Sequence, residues 1–108
     1  MSDRWDVKFL NKKVEAEYED LSKESRVKIS WIINIIMQEG IEDLKEPYIK
    51  HIHEKLWEIR GKTGRAIFVT IKGKLLVILR CFTKKTNQTP QPEIELALSR
   101  MKELDNYE

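Results

Sequence analysis

The chain is poor in the residues that staple, span or cradle. It holds a single cysteine, Cys81, so no internal disulfide forms, which suits a reducing compartment. Cys81 stands inside an apolar run, where a buried small hydrophobe explains it more simply than a reactive thiol does. Only four glycines occur, and none builds a Gly-rich phosphate loop or a dinucleotide fingerprint. Neither a Ser/His/Asp set nor a zinc spacing is present, so most cofactor-dependent chemistries are disfavoured and no cofactor or metal is expected. The longest apolar stretch, Trp31 to Met37, is interrupted by Asn34 and falls far short of the roughly 20 residues that cross a bilayer. The opening Met1-Ser2-Asp3-Arg4-Trp5-Asp6 is charged and no signal-peptide core follows, so a cytoplasmic protein with no membrane partner is expected.

What is abundant is charge of both signs. Thirty-five per cent of the 108 residues are charged and 41% are hydrophobic, the balance of a folded domain and not of a disordered chain. A chain of this length forms one domain, residues 1–108, and buries roughly two-thirds of its unfolded surface. The net charge of +2 hides a strong asymmetry. Residues 45–86 carry eleven Lys and Arg against three Glu, a surplus of eight, so the rest of the chain is negative by six. Such a basic pole attracts polyanions, although lysines on strand edges also serve to block edge-to-edge aggregation.

Periodicity divides the chain into seven elements. Trp5 to Leu10 alternates weakly, as a short edge strand does. Asn11 is an N-cap for an amphipathic helix over 12–21, with Val14, Tyr18 and Leu21 on one side. Ser22 or Ser25 starts a second helix whose apolar face is expected to include Val27, Trp31, Ile32, Ile35 and Ile36, and which Gly40 ends. The two helices are expected to form an antiparallel hairpin. Three strands follow, Lys55–Arg60, Arg65–Lys72 and Lys74–Phe82, joined by Gly-containing turns into an antiparallel meander. Leu75 to Leu79 is apolar on both faces and must be central. Thr89 caps a final helix with Pro90 at its first position and Ile94, Ala97, Leu98, Met101 and Leu104 as its packing stripe. The order β-α-α-β-β-β-α predicts an α+β domain: a small antiparallel sheet with an N-terminal helical hairpin and a C-terminal helix.

Three constellations carry chemistry. Arg60 ends one strand and Arg65 opens the next, which brings two guanidinium groups together. They suit a bidentate phosphate clamp, or alternatively pair with Glu54 and Glu58 as a solvated surface. Arg80, Phe82 and Lys84 share a strand face ahead of Lys85, and cations interleaved with an aromatic suit single-stranded nucleic acid, while a Phe ending an apolar strand also suits a core. His51 and His53 form a His-x-His pair that an extended chain points one way, giving half a metal site, a proton-transfer pair or solvated loop residues. Glu58 offers a base or an ion-pair partner for Arg60.

The segments Leu56-Trp57-Glu58-Ile59-Arg60, Gly64-Arg65, and Phe82-Thr83-Lys84-Lys85-Thr86 followed by Thr89-Pro90, Glu93-Ile94, Ala97 and Arg100 resemble the RelE/HigB superfamily of toxin components, and within it the phage-derived host-inhibition branch. The resemblance runs along nearly the whole chain and implies the RelE-like fold. It implies a metal-independent endoribonuclease that cleaves mRNA, commonly on the ribosome, and is neutralised by a helix-turn-helix antitoxin, the two proteins together binding operator DNA. In that chemistry a substrate 2′-hydroxyl attacks the adjacent phosphate while basic residues stabilise the phosphorane-like state. Carried over by motif, Arg60, Arg65, Lys84 and Lys85 become the catalytic candidates, with His51, His53 and Glu58 as weaker candidates for proton transfer. Arg80, Phe82 and Lys62 become the RNA-binding candidates. Two other readings fit the same residues: a catalytically inactive binding or regulatory module of the same fold, and a phage-derived inhibitor of a host protein.

Overall fold

The computed structural model describes residues 4–107. Strand β1 (Asp6–Phe9) leads into helices α1 (Lys12–Glu19) and α2 (Lys23–Glu39). Four strands follow, β2 (Ile49–His53), β3 (Leu56–Gly61), β4 (Gly64–Ile71) and β5 (Leu75–Thr83), and then helix α3 (Gln91–Met101), which tightens into a 3-10 turn over Lys102–Tyr107. The sheet order is β1-β5-β4-β3-β2. β2 to β5 form an antiparallel meander, while β1 pairs in parallel with β5, so the expected antiparallel sheet is a mixed one.

Local chemistry sets the helix ends. The Asn11 side chain accepts the Val14 N–H at 3.0 Å, and the Ser22 hydroxyl accepts that of Ser25 at 3.2 Å, so each satisfies an orphan donor of a first turn. Gly40 closes α2 at φ +89, a conformation that β-carbon sterics deny to most residues. At α3 the expectation is off by one residue. Pro90 is itself the N-cap, and the Thr89 hydroxyl turns away to Glu58.

Two cores lie on the two sheet faces. One joins Val14, Ile29, Ile32 and Ile36 from α1 and α2 to Ile59, Phe68, Leu76 and Ile78. The other joins Ile94 and Ala97 from α3 to Leu56, Ile67, Val77 and Leu79. β5 therefore faces apolar layers above and below, as its sequence requires. The first two helices pack on the sheet in preference to each other, α1 on β5 and α2 on β3 and β4. The inward side of α2 differs from the expected one: Ile29, Ile32 and Ile36 are fully buried, whereas Val27 is 60% and Trp31 46% exposed. Apolar residues surround this helix, and the sheet selects which of them it covers.

Two further differences bear on the site. Ile49 to His53 is a strand and not a loop, and it forms the sheet edge beside β3. In β5 the pairing slips between Ile67, opposite Arg80, and Phe68, opposite Ile78, so Leu79 is an extra residue. A bulge of this kind re-aims side chains, and here it places Leu79 and Arg80 together on the α3 side.

Candidate functional site

Strand register assembles the charged residues in two rows across the α3 side of the sheet. Arg60 lies opposite Arg65, which lies opposite Phe82; one pair further in, Lys50 lies opposite Glu58, Glu58 opposite Ile67, and Ile67 opposite Arg80. Side chains alternate along a strand, so Glu58, Arg60, Arg65, Arg80 and Phe82 share one face. Helix α2 supports the hairpin beneath them at close range. A β-carbon on Gly61 would stand 2.6 Å from Ile29 Cγ1, and one on Gly64 would stand 2.7 Å from Ser25 Cβ.

Arg65 is the centre of this array and is only 5% exposed. Its Nη1 donates to the carbonyls of Lys62 at 2.7 Å and Gly64 at 2.8 Å, and its Nε stands 3.7 Å from Glu58 Oε1. The remaining nitrogen, Nη2, makes no hydrogen bond among the described residues and keeps an opening to solvent. Burial lowers the Arg65 pKa; Glu58 acts to raise it and Arg60 to lower it further. An arginine nevertheless stays cationic across the physiological range, so the fold holds a fixed positive charge with one donor nitrogen unbonded among the described residues.

Glu58 is 3% exposed, and its second oxygen accepts a hydrogen bond from the Thr89 hydroxyl at 2.8 Å. The carboxylate thus ties the segment before α3 to the strand that carries Arg60. A second tie holds the same segment at its other end, where the Lys84 N–H donates to the Thr63 carbonyl at 2.7 Å. Lys84 and Lys62 are thereby brought to one end of the sheet beside the two arginines.

The other candidates separate. Lys85 lines a cleft of about 470 Å³ between α1 and the start of α3, together with Glu17, Asp20, Arg80 and Glu93. Arg80 is neutralised there by Glu93 at 2.6 Å and Glu17 at 3.0 Å. Its pKa is raised by the hydrogen bond to Glu93, against the opposing effect of burial, and by the nearby carboxylate charges. Glu17 also accepts two hydrogen bonds from Arg100, at 2.9 and 2.7 Å, and one from the Cys81 N–H at 3.2 Å. Burial raises the Glu17 pKa, but these hydrogen bonds and the two arginine charges outweigh it and hold the carboxyl below its ordinary 4.5. Phe82 packs in the α3-side core at 7% exposure and presents little ring face for a base. Cys81 is buried and its thiol is pushed up to about 12, chiefly by burial, so it is an inert core group at neutral pH.

The expected same-side His51 and His53 pair is not formed. A register shift between the two places His51 opposite Trp57, on the α2 side, and His53 opposite Leu56, on the α3 side. His51 packs edge-on against Trp57 at 5.0 Å between ring centroids. His53 shares the face of Arg60 but pairs four residues away from it along β3, about 13 Å at strand rise. Among the described residues no group of three or more His, Cys, Asp or Glu side chains converges as a metal site. Three features of the site lie outside the sequence expectations. Lys50 joins the row of Glu58 because β2 is a strand, Thr89 bonds Glu58, and Glu17 links Arg80 to Arg100. A polar hydroxyl just before Pro90 is a signal for the second; the first and third depend on tertiary pairing.

Chemically, the array can bind a phosphate and stabilise added negative charge without exchanging a proton. No helix of the described residues is long and apolar enough to cross a membrane. A comparison with the curated proteins finds no match. Among solved structures, a mutant of the E. coli toxin RelE in the free state superposes with a TM-score of 0.63 at 11% identity, covering 91% of this chain and 98% of that one. The archaeal RelE–RelB complex from Pyrococcus horikoshii matches with a TM-score of 0.59 at 21% identity, covering 75% of this chain and 96% of the matched chain. These two likenesses establish a RelE-type fold. Residues 16–102 match the family described as phage derived protein Gp49-like, a span that runs from the second half of α1 through α2, the meander and α3, and the chain belongs to that family.

Proposed function

We propose that the protein is the toxin of a toxin-antitoxin pair and acts as a metal-independent endoribonuclease on mRNA, in the setting of the ribosome. The observation that supports this best is Arg65, buried and fixed through Nη1 with Nη2 unbonded among the described residues, in register with Arg60 and with Glu58 as its one carboxylate partner. A surplus of fixed positive charge at this position matches a scissile phosphate whose charge grows as a 2′-hydroxyl attacks it. Arg60, Arg65 and Lys84 hold and stabilise the phosphate; Lys62 and Lys50 extend the cationic edge along the RNA; Lys85 contacts the strand beyond. Glu58 and Thr89 position Arg65 and the segment after β5. An antitoxin of the helix-turn-helix type neutralises the protein, and the fold shared with a toxin crystallised as a RelE–RelB complex supports a protein partner.

The test is inducible expression in a bacterial host that lacks the partner, with growth followed beside the integrity of a reporter mRNA. Growth arrest with discrete mRNA cleavage is expected. Arrest with intact mRNA would instead indicate an inhibitor of a host protein, and no arrest from folded protein would remove the toxin reading. One observation favours binding without cleavage: Glu58, the acidic group nearest Arg65, has both oxygens engaged and little access to solvent. Pure protein that binds ribosome-bound mRNA and leaves it whole would select that alternative.

A further inference from the structure

Helix α2 turns Ile29, Ile32 and Ile36 to the sheet, and a surface helix of that kind ordinarily shows polar residues outward. Here the outer side carries Val27, 60% exposed, and Trp31, 46% exposed, one helical turn apart. Together they form a ridge between two shallow grooves of about 460 Å³ each. Trp31 is held in place: its ring meets Tyr48 edge-on at 5.6 Å, and the Lys28 ammonium sits 4.5 Å from its centroid and 5.2 Å from that of Tyr48. The first groove is rimmed by Lys23, Lys28 and Lys62 against one acid, Glu24.

We infer that this ridge is a docking surface for an amphipathic, acid-flanked helix of a partner protein. An exposed tryptophan with restricted rotamers costs little order on binding and buries a large area, which is the usual make-up of an interface anchor. Residues at i and i+4 present a ridge that fits between the side-chain rows of a second helix. The lysine rim selects what flanks the apolar stripe of that helix: carboxylates meet Lys23, Lys28 and Lys62, and lysines or arginines are repelled. The ridge lies on the opposite side of the sheet from the face shared by Arg60 and Arg65 and meets the residues proposed for RNA only at Lys62, in the turn between β3 and β4.

The experiment uses the full chain labelled with nitrogen-15 and two synthetic 20-residue helical peptides. Both carry the same Leu/Ala stripe, one flanked by Glu and the other by Lys, and circular dichroism first shows both to be helical. Amide shifts that saturate with the acidic peptide and centre on Val27, Lys28, Trp31 and Lys62 are expected. Binding should fall at least tenfold for the Lys-flanked peptide and for Trp31→Ala, a surface change whose fold is checked by its amide spectrum. Val27→Ser, a milder surface change, should weaken binding by a smaller factor. Absence of saturable shifts, equal binding of the two peptides, or shifts centred elsewhere would overturn the inference. Two further results would also replace it: self-association through Trp31 without peptide, which makes the ridge a homodimer contact, and the same shift map produced by a single-stranded RNA oligonucleotide.

Discussion

Two arginine-carboxylate clusters sit on the same side of the sheet, and they are built differently. In the first, Glu93, Arg80, Glu17 and Arg100 alternate in sign, with ion-pair distances of 2.6, 3.0 and 2.7 Å. The cluster is neutral as a set and joins α1, the bulge of β5 and α3. In the second, two arginines, Arg60 and Arg65, stand against one carboxylate, Glu58, which approaches only Arg65, at 3.7 Å, and also serves Thr89. Among the described residues Arg60 makes no ion pair. The first cluster satisfies its charges internally and so acts as scaffold. The second retains positive charge on rigid strands, which is what a phosphate requires and what stability alone does not.

Substitutions can break the contrast from either side. The largest effect is expected from Arg65→Lys, which keeps a charge but loses the planar fork that bonds two carbonyls and presents Nη2. If the second cluster stabilises a transition state, mRNA cleavage should fall by roughly 10²–10³-fold, the usual loss for one preorganised donor. Thermal unfolding measured alongside must show a folded variant. Glu17→Ala should do the reverse, leaving cleavage largely intact below the unfolding temperature. It leaves Arg80 with Glu93 alone and Arg100 with only the Leu79 carbonyl, and should cost about 1–3 kcal/mol in urea denaturation. The same cluster predicts a sign for pH. The Glu17 carboxyl has a depressed pKa in the folded state, so its stabilisation is present above its ordinary 4.5 and is lost as pH falls through the lower folded value. Acid titration of Glu17→Gln should show a shallower loss over that window than the parent does.

Support beneath the second cluster predicts a comparable change in stability. Gly61→Ala places a methyl 2.6 Å from Ile29 Cγ1, and overpacking of this kind costs about 1–3 kcal/mol. Equilibrium denaturation checks it, and cleavage should drop as the hairpin shifts. The smallest effect is expected from Glu58→Gln. Its amide oxygen still accepts from Thr89, and the lost charge leaves the arginines more positive, so cleavage should change by only a few-fold. A general base in that position would show itself by a loss of about 10²-fold or more.

Much of this architecture is legible in local sequence. Asn11, Ser22 and Gly40 mark helix ends by chemistry that acts within three or four residues, and the meander strands follow from apolar runs broken at Lys62-Thr63-Gly64 and Lys72-Gly73-Lys74. The pairing of Arg60 with Arg65 across that first turn is legible for the same reason. What the sequence hides is tertiary. β2 reads as a loop because its Lys and His residues make no apolar run, and it becomes a strand only by pairing with β3. The outward face of α2 is ambiguous because Val27 and Trp31 keep helical spacing as well as Ile29, Ile32 and Ile36 do. The extra residue at Leu79 and the bond between Glu17 and Arg100, 83 positions apart, leave no local trace. Hence Arg80 looks like a free cation in sequence and is a neutralised one in the fold.

The central claim is that the unbalanced cluster acts on RNA and the balanced one does not. Its most direct test is purified protein added to ribosomes programmed with an end-labelled mRNA, comparing the parent, Arg65→Lys and Arg80→Lys by primer extension. Discrete cuts by the parent and by Arg80→Lys, with Arg65→Lys leaving the message intact, are predicted. Intact message with folded parent protein, or equal loss of cutting in the two variants, would contradict the account.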